Sequence, residues 1–150
     1  MGRRNRCKAK LRLYPDPILK AVCEPVGDDE DVSDIIRDMM HILTNSKTGV
    51  GLAAPQAGHT KRVIIVKDGN FTYQVMINPH FCDCEGRTAT AREGCLSYPG
   101  RFRDIERFTC IDVSYKDDSG NDQCDTFYDH DARIIQHEID HLDGKCKVGE

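Results

Sequence analysis

His137-Glu138-Ile139-Asp140-His141 constrains this chain more than any other segment, because it reads H-E-x-x-H. On a helix, positions i and i+4 share a face, so His137 and His141 can present two imidazole nitrogens to one metal ion. Glu138 is turned about 100° from His137, near enough to touch a water on that ion without being a ligand. Two ligands and a base describe metal-assisted hydrolysis. The competing reading is an amphipathic helix with surface histidines. By composition, the pattern arises by accident in about one such chain in a hundred.

A catalytic metal needs a third protein ligand. Downstream of the motif only Asp143, Cys146 and Glu150 could serve, all on or just past the expected helix end. Cys95, in Glu93-Gly94-Cys95-Leu96-Ser97, is better placed. A cysteine beside a glycine, between strand-like stretches, can be held rigidly with its thiolate exposed. One thiolate and two imidazoles leave a fourth tetrahedral position open, which marks a catalytic rather than a structural site.

Together, Gly49-Val50-Gly51-Leu52-Ala53-Ala54-Pro55-Gln56, Glu93-Gly94-Cys95-Leu96-Ser97 and Gln136-His137-Glu138-Ile139-Asp140-His141 resemble the three signature motifs of the peptide deformylases. Their order and spacing match, and the resemblance runs from about Leu13 to Gly144. It implies an α+β fold, with antiparallel sheets packed around a central metal-binding helix. It also implies removal of the formyl group from the N-terminal formylmethionine of nascent chains, releasing formate. Cys95, His137 and His141 would hold the metal, and Glu138 would act as general base for metal-hydroxide attack. The Gln56 side-chain amide and the Leu96 backbone N–H would stabilise the oxyanion, and Val50 and Gly51 would lie along the substrate. The family implies Fe²⁺ in the cell, with Zn²⁺, Ni²⁺ or Co²⁺ able to replace it in isolated protein. Glu93 and Asp140 read as hydrogen-bond partners rather than catalytic groups, Gln136 is unassigned, and no base or orienting acid accompanies Ser97. Many members continue past the motif helix, whereas short members are found among phage-encoded relatives. This chain, ending at Glu150, resembles the short form.

Composition agrees with a single catalytic domain over 1–150, with residues 1–12 as a basic, flexible arm. A hydrophobic content of 39% without a long apolar run excludes a transmembrane helix. No apolar stretch follows the basic start as a secretory signal requires, and Arg6 stands where a myristoylation signal needs Ser or Thr. The cytoplasm is therefore expected, that of a host cell if the source is viral. Net charge is −4, and no basic stripe runs through the body, so neither specific nucleic acid nor a membrane is an expected partner. The expected partners are nascent formyl-Met peptides, with weak ribosome association through the arm, and the chain is expected to be monomeric. Eight cysteines without a secretion signal read as thiols in a reducing compartment. His80 with Cys82-Asp83-Cys84 could be half a structural zinc site, but the spacing is short and no second pair matches it. A metallopeptidase or other amidase, and a non-catalytic metal-binding protein, are the readings from other classes. Glu138 and Gln56 speak against the last, since a structural metal needs neither.

Periodicity predicts a helix from Val32 to about Asn45, capped by Asp31 or Ser33, with Met39 and Met40 in the core. Strands are predicted at Arg62–Val66 and Tyr73–Asn78 as a hairpin, around Cys95, from Phe108 to Tyr115, and at Gln123–Tyr128. A final helix is predicted from Asp131 to Leu142, with Gly144 as its stop.

Overall fold

The computed structural model describes residues 9–84 and 86–150. Two helices and seven strands follow in the order α1 (Ser33–Thr44), β1 (Gly51–Ala53), β2 (Val63–Lys67), β3 (Tyr73–Asp83), β4 (Thr88–Gly94), β5 (Phe102–Phe108), β6 (Cys110–Lys116), β7 (Asp122–Tyr128), α2 (Asp129–Leu142). The strands form a five-stranded antiparallel sheet in the order β1-β2-β3-β6-β7 and a two-stranded sheet β4-β5. This is the α+β architecture expected from the sequence.

The large sheet is covered on both faces. Ile64, Val66, Met76, Ile111 and Val113 pack against Ala132, Ile135, Ile139 and Leu142 of α2. Leu52, Val63, Ile65 and Ile77 pack against Met39, Ile42 and Leu43 of α1. Burial on both faces explains why β2 is a continuous apolar run, Val63-Ile64-Ile65-Val66, rather than an alternating one. The helix carrying His137, Glu138 and His141 is thus an interior element.

Boundaries differ from expectation where local interactions override periodicity. The strand predicted from Phe108 to Tyr115 is split at Thr109 between β5 and β6. β3 continues to Asp83, past an irregularity at Asn78, which has φ 52°. Asn78 is held there by its own side chain, which accepts from Val26 N–H at 2.8 Å and donates to Val26 C=O at 2.9 Å. Neither Asp31 nor Ser33 is the N-cap of α1, which is Val32; Asp31, one residue earlier, accepts the Ser33 N–H at 2.9 Å. Of the basic arm expected over residues 1–12, residues 1–8 lie outside the described residues. Ala9 and Leu11 pack against the α1 core, and Arg12 N–H donates to Gln56 C=O at 2.7 Å.

Candidate active site

Two devices fix α2. Near its middle, Gln136 grips the β5–β6 junction, accepting from Phe108 N–H at 3.1 Å and donating to Phe108 C=O at 2.8 Å. At its end, Lys145 N–H donates to Asp140 C=O and Gly144 N–H to His141 C=O, a Schellman turn. Gly144 has φ +73°, and a Cβ there would lie 2.4 Å from Lys20 C=O, so only glycine fits. The turn folds the chain back beneath the helix.

The donor atoms of Cys95, His137, His141 and Cys146 all lie within 4.8 Å of one another. Cys95 Sγ is 3.3 Å from His141 Nε2. His137 directs Nδ1 to Glu93 Oε1 at 3.0 Å, which leaves Nε2 for a metal and sets the tautomer. His141 Nδ1 is buried without a hydrogen-bond partner among the described residues. Thiols and imidazoles are the donors that zinc and other late divalent ions take, so the residues fit the metal that the motif implies. Of the downstream candidates, only Cys146 joins the group. Asp143 pairs instead with Arg62 Nη2 at 3.0 Å. His80, Cys82 and Cys84 form no such cluster among the described residues. Cys82 faces Cys124 across 3.9 Å on the exposed sheet, and the seven described cysteines are all free thiols.

Cys95 and Cys146 titrate as a pair. The hydrogen bond between them and the nearby His141 favour the first thiolate, while that same bond, burial and the first charge oppose the second.

Glu93 is the electrostatic hub beside the ligands. Burial pushes its carboxyl up, but hydrogen bonds from His137, from Arg107 and from Arg133 outweigh burial and hold it well below the usual range. Arg107 makes a two-pronged contact with Glu93 at 2.9 Å and reaches Asp140 at 2.7 Å with its remaining nitrogen.

Glu138 is buried. Burial raises its carboxyl pKa, opposed by charge on His137 and His141, and Oε1 has no hydrogen-bond partner among the described residues. It lines a cleft of about 700 Å³ whose wall also includes Val50, Gly51, Gln56, Cys95, Leu96 and His137. Gln56 is held in one orientation, because its Oε1 accepts the Ala53 N–H at 3.0 Å. Its Nε2 then points to Ser97 Oγ at 3.0 Å and Cys95 Sγ at 3.7 Å. Ser97 is completely buried and its hydroxyl donates to Arg12 C=O at 2.7 Å, so it is a positioning group.

Gly51 has a use not apparent from the sequence. A Cβ there would lie 2.7 Å from Glu138 Oε2 and 2.8 Å from Ile134 Cγ2. The missing side chain makes room for the buried carboxylate as well as for anything in the cleft. Gly51→Ala is expected to displace Glu138 and cost about 10²-fold in turnover while leaving metal content unchanged. Turnover within a few-fold of the parent protein would show that Glu138 needs no such space.

An interior helix with two imidazoles, an adjacent thiol and a buried carboxylate that lacks a partner among the described residues and faces a cleft suits a hydrolase of the metal-dependent amidase kind. The sequence model of the polypeptide deformylase family matches residues 8–149, so the chain belongs to that family. It is 38% identical over 145 residues to the peptide deformylase of Chlorobaculum parvum, covering 92% of this chain and 76% of that one. The crystal structure of peptide deformylase from Thermotoga maritima superimposes with a TM-score of 0.87 at 35% identity, covering 95% and 96% of the two chains. The Met-Ala-Ser-bound class I type b peptide deformylase from Acinetobacter baumannii superimposes with a TM-score of 0.82 at 31% identity, covering 94% and 96%. No helix among the described residues is long and apolar enough to cross a membrane.

Proposed function

We propose that this chain, acting as one catalytic domain, removes the formyl group from the N-terminal formylmethionine of nascent polypeptides and releases formate. The observation that carries this reading is the Oε1 of buried Glu138, without a partner among the described residues, beside the convergent donors of Cys95, His137 and His141. A buried carboxylate oxygen without a protein partner implies a water or substrate atom in its place.

Cys95, His137 and His141 would hold one divalent ion, with Fe²⁺ the cellular metal by family resemblance. When bound, the ion polarises the formyl carbonyl and makes a hydroxide nucleophile available near neutral pH. Glu138 takes the proton of the attacking water and delivers it to the departing amine as the formyl C–N bond breaks. Gln56 Nε2, already oriented by its own Oε1, donates to the formyl oxygen as charge builds there, together with the Leu96 N–H. Among the described residues β1 pairs only with β2, and it borders the cleft, so an extended peptide can add to its other edge beside Val50 and Gly51. The bound Met-Ala-Ser of the Acinetobacter baumannii relative supports a short peptide as the ligand of this cleft. The reading places the protein in the cytoplasm as a monomer that meets nascent chains mainly by diffusion. The basic residues Arg3 to Arg12 would add only weak, salt-sensitive ribosome affinity.

Formate release from formyl-Met-Ala-Ser by iron-loaded protein tests the proposal against a general amidase or peptidase. The acetylated peptide is expected to be hydrolysed on the order of a hundred-fold more slowly, because its extra methyl crowds the Gln56 donor. Equal hydrolysis of the two peptides, or cleavage within the peptide, would move the protein out of this class.

A further inference from the structure

Cys146, the fourth member of the Cys95 cluster, has no part in the chemistry above. We propose that Cys146 is a resolving thiol for Cys95, so that in the metal-free chain hydrogen peroxide converts the two into a reversible disulfide. The inference rests on the reading that Cys95 is a ligand of the ion, and adds what guards that ligand when the ion is absent.

Three observations converge on this pair. The sulfurs of Cys95 and Cys146 lie within 4.8 Å of each other, and Cys95 packs against the apolar cluster of Leu19, Tyr98, Ile105 and Val148 that encloses Cys146. The chain is steered there by the Schellman turn, with Gly144 in a conformation and a space that admit no side chain. The two sulfurs also differ in access: Cys95 lines the cleft, whereas Cys146 does not and is 9% exposed. A buried cysteine is often just a small hydrophobe. A hydrophobe at 146 would fill the same space, but only a thiol gives Cys95 a second sulfur to react with.

Access sets the order of events. Peroxide enters by the cleft and meets Cys95 first. The Cys95 thiolate attacks one peroxide oxygen, the O–O bond breaks, and a sulfenic acid forms with hydroxide as the leaving group. Cys146 then attacks that sulfur from behind. The S–S bond forms, the S–O bond breaks, and the oxygen leaves as water with the proton that Cys146 gives up. The two thiols together lose two electrons and two protons, and the peroxide that takes them up becomes two waters.

Two consequences follow. The disulfide withdraws Cys95 from the donor set, so the oxidised chain does not take up the ion. It also stops Cys95 short of the sulfinic and sulfonic acids, which thiols do not reverse, so a dithiol reductant restores the site. In a reducing compartment such a bond is transient and tracks exposure to oxidant.

The test uses the full chain with Cys82→Ser and Cys124→Ser, which remove the exposed thiol pair. One portion is loaded with zinc, which has no redox chemistry of its own, and the other is treated with a chelator. Both meet the same dose of hydrogen peroxide, free thiols are alkylated, and peptide masses are mapped before and after dithiothreitol. The chelated chain is expected to show a Cys95–Cys146 link with the loss of two hydrogens, reversed by dithiothreitol, and zinc uptake should be lost and regained with it. The zinc-loaded chain should keep both thiols. Adding Cys146→Ala should let Cys95 run on to its sulfinic or sulfonic acid, after which dithiothreitol no longer restores zinc uptake. If Cys146→Ala fails to fold, the map of the chain that retains Cys146 decides alone. Added oxygen on Cys95 while Cys146 stays open to alkylation overturns the proposal. A disulfide that forms equally fast with and without zinc upholds the pair and overturns Cys95 as a ligand instead.

Discussion

Glu138→Gln is expected to lower deformylation by about 10²–10⁴-fold while keeping the metal and the fold. The amide matches the carboxylate in shape, so the close fit against Gly51 survives. What it cannot do is accept a proton and return it. Its neighbours make that transfer productive: burial raises the carboxyl pKa, and no donor among the described residues occupies Oε1. Glu138 also stands outside the group of metal donors, so its loss should not release the ion. Turnover and metal content measured on one preparation separate the two effects. A Gln variant active at the parent rate removes Glu138 from the mechanism, and a variant that loses its metal makes it a ligand instead.

How much of this site could be read from the sequence depended on which residues carried the pattern. The helix carrying His137 and His141 was readable because Ile135, Ile139 and Leu142 repeat with the helical period and bury one face. Strands flanking Cys95 were expected, and β4 and β5 lie there, but the charged residues that they bury could not be read from the sequence. Glu93 is 8% and Arg107 4% exposed, and their mutual neutralisation lets a strand reading Phe-Arg-Asp-Ile-Glu-Arg-Phe lie against the core. No hydrophobicity pattern announces a buried ion pair. Cys146 was visible only as one of three downstream candidates, because its position depends on the backbone direction after Gly144. The available signal was a glycine helix stop two residues before a cysteine, which turns the chain back under the motif. Gly51 could be read as a place of close approach, but not that the approaching group is Glu138.

The arginine–glutamate hub carries the second large effect. Glu93→Gln should destabilise the folded chain by about 3–5 kcal/mol, since it leaves Arg107 buried with only part of its charge answered. That is a large fraction of the about 5–15 kcal/mol that holds an ordinary domain together. Asp140→Asn removes the other carboxylate on Arg107, yet its side chain is 26% exposed against 7% for Glu93, so water replaces much of what is lost. The cost there should be nearer 1 kcal/mol. Denaturant unfolding of the metal-free proteins compares the two, and equal losses would deny Glu93 its central place. The pH dependence has a definite sign. The folded carboxyl of Glu93 titrates below its unfolded value of about 4.3, so the unfolded chain binds more protons in the window between them. Stability from Glu93 is complete above that window and drains away as pH falls through it, so the gap between parent and Gln variant should narrow in acid. Metal binding supplies an independent readout, because Glu93 also orients His137 through Nδ1. Its replacement should weaken the ion by about 10–100-fold, whereas Asp140→Asn, which touches no ligand directly, should leave metal affinity near that of the parent.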